Sequence, residues 1–207
     1  MKKVTTAVIA IAIALVLIIS GKLYFGHSGM SHMYSILKNV DTPDGAIRGY
    51  LEMMIPHHAE AVNASKQVMM DKDITDPQIR LFAARVADAQ EFEISQMEGW
   101  YRDWFGMDYA TSTNYMPMMS DLTNLVGDKK AKAYLEEMIA HHEEAIDSSR
   151  QTREFIESIQ AKNSKTDGDI TVTNSHIGID TSLVFTKHVE DVQAKEIAEM
   201  KELLKNL

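Results

Sequence analysis

Two pairs of adjacent histidines, His57-His58 and His141-His142, each follow a methionine by one helical turn, Met54 and Met138 respectively. The setting is repeated as well. Tyr50-Leu51-Glu52-Met53-Met54-Ile55-Pro56-His57-His58-Ala59-Glu60-Ala61 returns 84 residues later as Tyr134-Leu135-Glu136-Glu137-Met138-Ile139-Ala140-His141-His142-Glu143-Glu144-Ala145. A second echo, offset by 103, joins Gln90, Glu93 and Met97 to Gln193, Glu196 and Met200. Imidazole and thioether one turn apart are a metal-ligand pattern. Thioether sulfur is soft and selects Cu(I) or silver, while imidazole suits copper and zinc.

Neighbours on a helix point about 100° apart, so the two histidines of a pair face different ways. His58 shares an apolar stripe with Leu51, Met54 and Ile55 and is expected to point inward; His57 is expected on the flank, near Met53 and Met54. His141 and His142 repeat the arrangement with Met138, with Glu137 in place of Met53. Gln90, Glu93 and Met97 share one face of their own helix. The candidate metal-binding residues are therefore Met53, Met54, His57, His58, Glu93 and Met97 in the first half, and Met138, His141, His142, Glu196 and Met200 in the second. Packing accounts for part of the same pattern. Met54, Met97, Met138 and Met200 fall at core positions, where flexible thioethers fill space, and Glu93 or Glu196 would satisfy a core histidine by hydrogen bonding. On the residues alone both readings stand.

Methionine also clusters outside the repeats, in His27-x-x-Met30-x-His32-Met33, Met69-Met70 and Met116-Pro117-Met118-Met119. The chain has 14 methionines and no cysteine, so thioether is its soft ligand and neither a disulfide scaffold nor a lipid-modified cysteine is open to it. His176 lies in a polar stretch and reads as solvated. His188 stands opposite Arg85 in the repeat and is not expected to be an essential ligand.

The elements that must position these groups are helical. Apolar periodicity runs from Asp44 to about Met70, and from the Asp76-Pro77 start to about Gly106. It resumes from Lys129 to about Gln160 and from Leu183 to Leu204. The connection between Gly106 and Asp128 is expected to hold a short helix after Ser120-Asp121, and residues 161–181 form a polar loop. No strand pattern competes. The fold class is all-α: a four-helix bundle of two duplicated hairpins, in halves of about 44–106 and 128–207, able to set the histidine helices face to face. Pro56 removes one hydrogen bond inside the first long helix. Ala140 at the matching place favours one continuous, bent helix there.

The N-terminus has another character. Lys2 and Lys3 precede an uncharged run from Val4 to Gly21, and 18 helical residues span about 27 Å, close to the ~30 Å hydrocarbon core of a membrane. Residues 1–25 are expected to be a transmembrane anchor with a cytoplasmic start, followed by a linker or short helical approach over 26–43. A cleaved signal peptide is the competing reading, without a convincing small-x-small site. Either way the bundle is extracytoplasmic, on the periplasmic or cell-surface side. The whole chain carries a net charge of −9, and what lies beyond the anchor is more acidic still, which argues against a nucleic-acid partner.

The Met-Ile-Pro-His-His-x-x-Ala run and the later Glu-Ile-x-x-Met resemble the domain of unknown function 305 family, which includes copper-binding CopM-like proteins. The resemblance covers most of residues 44–204 and implies a ferritin-like four-helix bundle that binds copper or silver outside the cytoplasm in metal resistance. It implies ligand roles for Met54, His57, His58 and Met97, and for Met138, His141, His142 and Met200. The second motif departs from the first at Ala140 and Glu143. The expected function is sequestration or trafficking of Cu(I), with metal ions, the membrane and a copper-exporting or copper-accepting protein as partners. Two rivals are a ferritin-like oxidoreductase, for which the usual Glu-x-x-His is lacking at either pair, and a metal-free interaction module.

Overall fold

In the computed structural model the described residues are 32–110, 115–166 and 178–207. The expected anchor over 1–25, together with His27, Met30 and His176, lies outside them. Among the described residues no helix is long and apolar enough to cross a membrane. The chain separates at residue 31, and the unit from His32 to Leu207 is described by itself.

That unit is all-helical, with five α-helices and no strand among the described residues. The first, α1 (His32–Leu37), is short. Four long helices follow: α2 (Pro43–Met69), α3 (Pro77–Phe105), α4 (Gly127–Thr166) and α5 (Ile179–Leu203). Local chemistry sets their starts. The Thr42 side chain accepts from Gly45 N–H ahead of Pro43, and Asp76 accepts from Gln78 N–H ahead of Pro77. These are side-chain caps with proline in the first turn, where its missing N–H costs nothing. Gly178 precedes α5 at φ +95°, and a Cβ there would fall 2.5 Å from the Trp104 ring. Only glycine allows both the left-handed backbone and the close approach.

The region after Ser120-Asp121 is a turn rather than the expected short helix. Asp121 accepts from the Thr123 N–H and hydroxyl, a local alternative to helical bonding, and Leu122 is anchored in the core. The approach over 26–43 does contain a helix, α1, whose Ile36 and Met33 lie against Gly49 of α2. α2 runs unbroken through Pro56.

Each hairpin, α2 with α3 and α4 with α5, is closely packed, and the two meet chiefly along α2 and α4. Those central helices are antiparallel. Tyr50 meets Ser149, His57 meets His141 and Ser65 meets Tyr134, so the number rises on one helix as it falls on the other. Both hydroxyl pairs are 2.8 Å apart, and Tyr50/Tyr134 and Ser65/Ser149 share the repeat offset. The duplication has thus become a local two-fold relation, with its axis between His57 and His141.

Candidate metal centre

Two apolar clusters fill the bundle, one at each end. One gathers Tyr50, Met54, Met97, Phe185 and Val189; the other gathers Phe82, Val86, Tyr134, Met138 and Met200. Between them every long helix contributes polar side chains: His57 and His58 from α2, Gln90 and Glu93 from α3, His141 and His142 from α4, Gln193 and Glu196 from α5. Seven of the eight are buried, the four histidines at 1% exposure or less. The result is a polar waist across an otherwise apolar core, with a repeated methionine pair in the cluster on either side.

His58 and His142 occupy equivalent places. His58 Nε2 donates to Glu93 Oε2 at 2.9 Å, and His142 Nε2 donates to Glu196 Oε2 at 2.8 Å. A carboxylate oxygen accepts, so each ring carries a hydrogen on Nε2, and in the neutral tautomer this leaves the lone pair on Nδ1. Both Nδ1 atoms are buried and find no hydrogen-bond partner among the described residues. A histidine held by a carboxylate on one nitrogen, with the other free, is the arrangement in which imidazole ligates a metal. Glu93 is 7% exposed. Burial pushes its carboxyl up, yet the hydrogen bonds from His58 and His188 bring it below the ordinary carboxylate range.

His57 and His141 differ. Their rings stack across the axis with centroids 3.6 Å apart and planes 28° from parallel. Here the structure corrects the sequence reading, which put His57 on the flank. The flank of α2 is the seam with α4, so the ring is buried against its own repeat. Among the described residues neither nitrogen of either ring has a hydrogen-bond partner of good geometry; the nearest acceptor to His141 Nε2 is Glu60 Oε2 at 3.4 Å. Burial, then the nearby imidazoles, pushes the His57 pKa well below its ordinary value. Burial does the same to His141, against the opposing pull of Glu60. Both rings are therefore neutral at pH 7 and offer lone pairs rather than charge.

These shifts fix a pH dependence. The unfolded chain protonates such histidines near the ordinary 6.5, while the native rings resist. Below about pH 6.5 the unfolded state binds more protons, and stability falls as pH falls, by up to about 1.4 kcal/mol per pH unit for each ring. Glu60, held at about 2 against an ordinary 4.5, retains its contribution until pH drops below 4.5. Urea midpoints should be level above pH 7 and decline between pH 6.5 and 5; a level profile across that window would contradict the neutral pair.

Glu60 escaped the sequence reading as a site residue. Burial raises its carboxyl, but the His141 imidazole beside it and the bonds from Tyr115 and the Met119 amide outweigh that effect. It takes the Tyr115 hydroxyl and, at 2.7 Å, Met119 N–H, while Glu137 accepts from Ser120 N–H. The Met116–Met119 segment is thereby tied beside the seam, with Met116 and Met118 exposed. Beneath it lies a cavity of about 400 Å³ bounded by Pro56, Glu60, Tyr115, Pro117 and Met119. A signal for Glu60 was available, since it stands three residues after His57 as Glu144 does after His141.

The structure brings the predicted residues into one layer and its two borders, with Met53 buried beside Met54 in the first cluster. Met33 is buried in that same cluster, Met69 packs at the edge of the other, and Met70 is exposed. Gln90 and Gln193 join the waist with both amide atoms unpartnered among the described residues. His188, set aside on sequence, lies 3.2 Å from Glu93 Oε1. Among the described residues, no three His, Cys, Asp or Glu side chains converge as a ready-made metal site.

Comparison with solved structures finds the same fold. CopM in its Cu(I)-bound form is 22% identical, with a TM-score of 0.55 over 77% of this chain and 96% of that one. A putative secreted DUF305 protein from Streptomyces coelicolor is 19% identical, with a TM-score of 0.55 over 80% and 93%. A DUF305 fragment from Deinococcus radiodurans is 17% identical, with a TM-score of 0.56 over 78% and 97%. No curated protein matches. Residues 48–167, more than half of the chain, match the family described as Domain of unknown function (DUF305), and the chain belongs to that family.

Proposed function

We propose that this protein binds copper as Cu(I) in the bundle waist and sequesters it or hands it on, as cargo rather than as a catalytic cofactor. The observation that carries the reading is the set of buried imidazole nitrogens that have no partner among the described residues, above all Nδ1 of His58 and His142. A buried polar atom without a partner costs about 1–3 kcal/mol, and native structures keep few of them unless water or an ion takes them up. The donors fit a soft ion. Imidazole Nδ1, its ring oriented by Glu93 or Glu196, would combine with thioether from Met54 and Met97 on one side and from Met138 and Met200 on the other. His57 and His141 lie between the two positions. Glu93 and Glu196 serve as hydrogen-bond partners, which suits binding better than the several ligating carboxylates of a redox enzyme.

The likeness to CopM, solved in Cu(I)-bound, Cu(II)-bound and apo forms, supports copper as the ion. The secreted protein from Streptomyces coelicolor supports an extracytoplasmic setting. Residues 1–25 would hold the bundle there as a membrane anchor, and a copper exporter or acceptor would be its partner.

The test is a competitive titration of the full chain with Cu(I) against a chromophoric chelator, beside Zn(II) and Fe(II). Stoichiometric Cu(I) uptake is expected, with a rise in Tm, since an ion that binds only the native state stabilises it. Failure to compete for Cu(I) would end the reading.

A further inference from the structure

One pair of side chains in the waist is explained neither by packing nor by ligation. Gln90 and Gln193 occupy matching places in the two halves, 3% and 2% exposed. Both atoms of each amide lack a hydrogen-bond partner among the described residues. Leucine would fill such a place without a polar atom to satisfy. Amide oxygen is a hard donor and a poor ligand for Cu(I). What the amide keeps out of the layer is charge. Glutamine has the shape of glutamate, and Gln90 stands one turn before Glu93, as Gln193 does before Glu196. That spacing sets the two Cβ atoms about 5–6 Å apart.

Few groups set the charge of the layer once copper is bound. A ligating imidazole that keeps its Nε2 hydrogen is neutral, and so are thioether and amide. Each half then holds one carboxylate, Glu93 or Glu196, with side chains 9% and 18% exposed. Glu60 and His188 touch the layer from its border, and their contribution is the same whatever stands at positions 90 and 193. The cost of taking an ion out of water grows as the square of its charge, whereas its attraction to a carboxylate grows in proportion. A divalent ion would gain about twice the attraction against about four times the desolvation, and would leave a buried net charge. One carboxylate balances one positive charge.

We propose that Gln90 and Gln193 determine specificity for a monovalent ion, by holding each half of the waist to a single carboxylate. The inference rests on the copper reading above. Soft sulfur and matched charge then act together in favour of Cu(I). A second carboxylate at either glutamine would bring about twice as much new attraction to Zn(II) as to Cu(I).

The experiment titrates the full chain with Cu(I) and, separately, with Zn(II), each in competition with a chromophoric chelator. Gln90→Glu with Gln193→Glu adds charge at nearly constant shape; Gln90→Leu with Gln193→Leu removes the amides and adds none. The Cu(I)-to-Zn(II) affinity ratio of the glutamate variant should fall at least about tenfold below those of wild type and of the leucine variant. An unchanged ratio would overturn the proposal. So would equal ratios in the two variants, because loss of the amide rather than gain of charge would then be the cause. Buried carboxylates destabilise the ion-free protein, so Tm is read beside affinity. Zn(II) should raise the Tm of the glutamate variant, relative to Cu(I), more than it does in wild type. A glutamate variant that Zn(II) fails to stabilise would count against the proposal as well. Failure of wild type to take up Cu(I) would instead end the copper reading, and the charge match with it.

Discussion

Replacing His58 and His142 together with alanine should abolish tight Cu(I) binding while the helices persist. Each substitution deletes an imidazole whose Nδ1 is the proposed ligand, so the loss should exceed the ~10–100-fold that follows removal of an outer-shell partner alone. Stability should fall as well, by about 2–4 kcal/mol for each histidine, because a largely buried carboxylate loses its donor. The two single variants should not be equal. Glu93 keeps His188 after His58→Ala, whereas His142 is the one ion-pair partner seen for Glu196 among the described residues. His142→Ala should therefore be the more destabilising, and adding Glu196→Gln should recover part of the loss. Chelator competition reads the first effect, urea unfolding with far-UV circular dichroism the second. Equal destabilisation with copper affinity intact would mark both histidines as packing.

Converting Met54, Met97, Met138 and Met200 to leucine separates thioether chemistry from space filling. All four are fully buried, and exchanges between leucine and methionine nearly conserve volume, each costing less than about 1.5 kcal/mol. If methionine only fills the core, the quadruple variant should bind copper as wild type does. If sulfur completes the site, Cu(I) affinity should fall by orders of magnitude while the remaining imidazoles retain borderline ions such as Zn(II). The expected result is the second: a folded protein whose preference has moved from Cu(I) toward Zn(II).

Much of this arrangement is legible in the residues because the repeat carries it. Tyr50 and Tyr134, Ser65 and Ser149, and the two histidine pairs each sit at a common offset, and a duplicated hairpin turns such offsets into a two-fold relation. The inward direction of His58 follows from the periodicity of its own helix, and Glu93 or Glu196 is the expected partner of a core histidine; that His58 takes Glu93 is decided between helices. What periodicity misses is decided between helices. His57 lies off the stripe of α2 when that helix is read alone, yet α4 packs on that very flank and buries it. His188 looks expendable beside Arg85 in an alignment of halves, but α5 sets it against Glu93 on α3. The turn after Asp121 shows the same limit at short range, where one aspartate bonding to Thr123 outweighs a helical start. Glu60 reaches His141, Tyr115 and Met119 together, three partners scattered along the chain.

The most direct test is nitrogen NMR of the imidazole rings as Cu(I) is added. The account predicts that Nδ1 of His58 and His142 shifts on binding while Nε2 of both keeps its hydrogen, still donated to Glu93 and Glu196. Ring resonances that stay in place while copper is taken up elsewhere would contradict it.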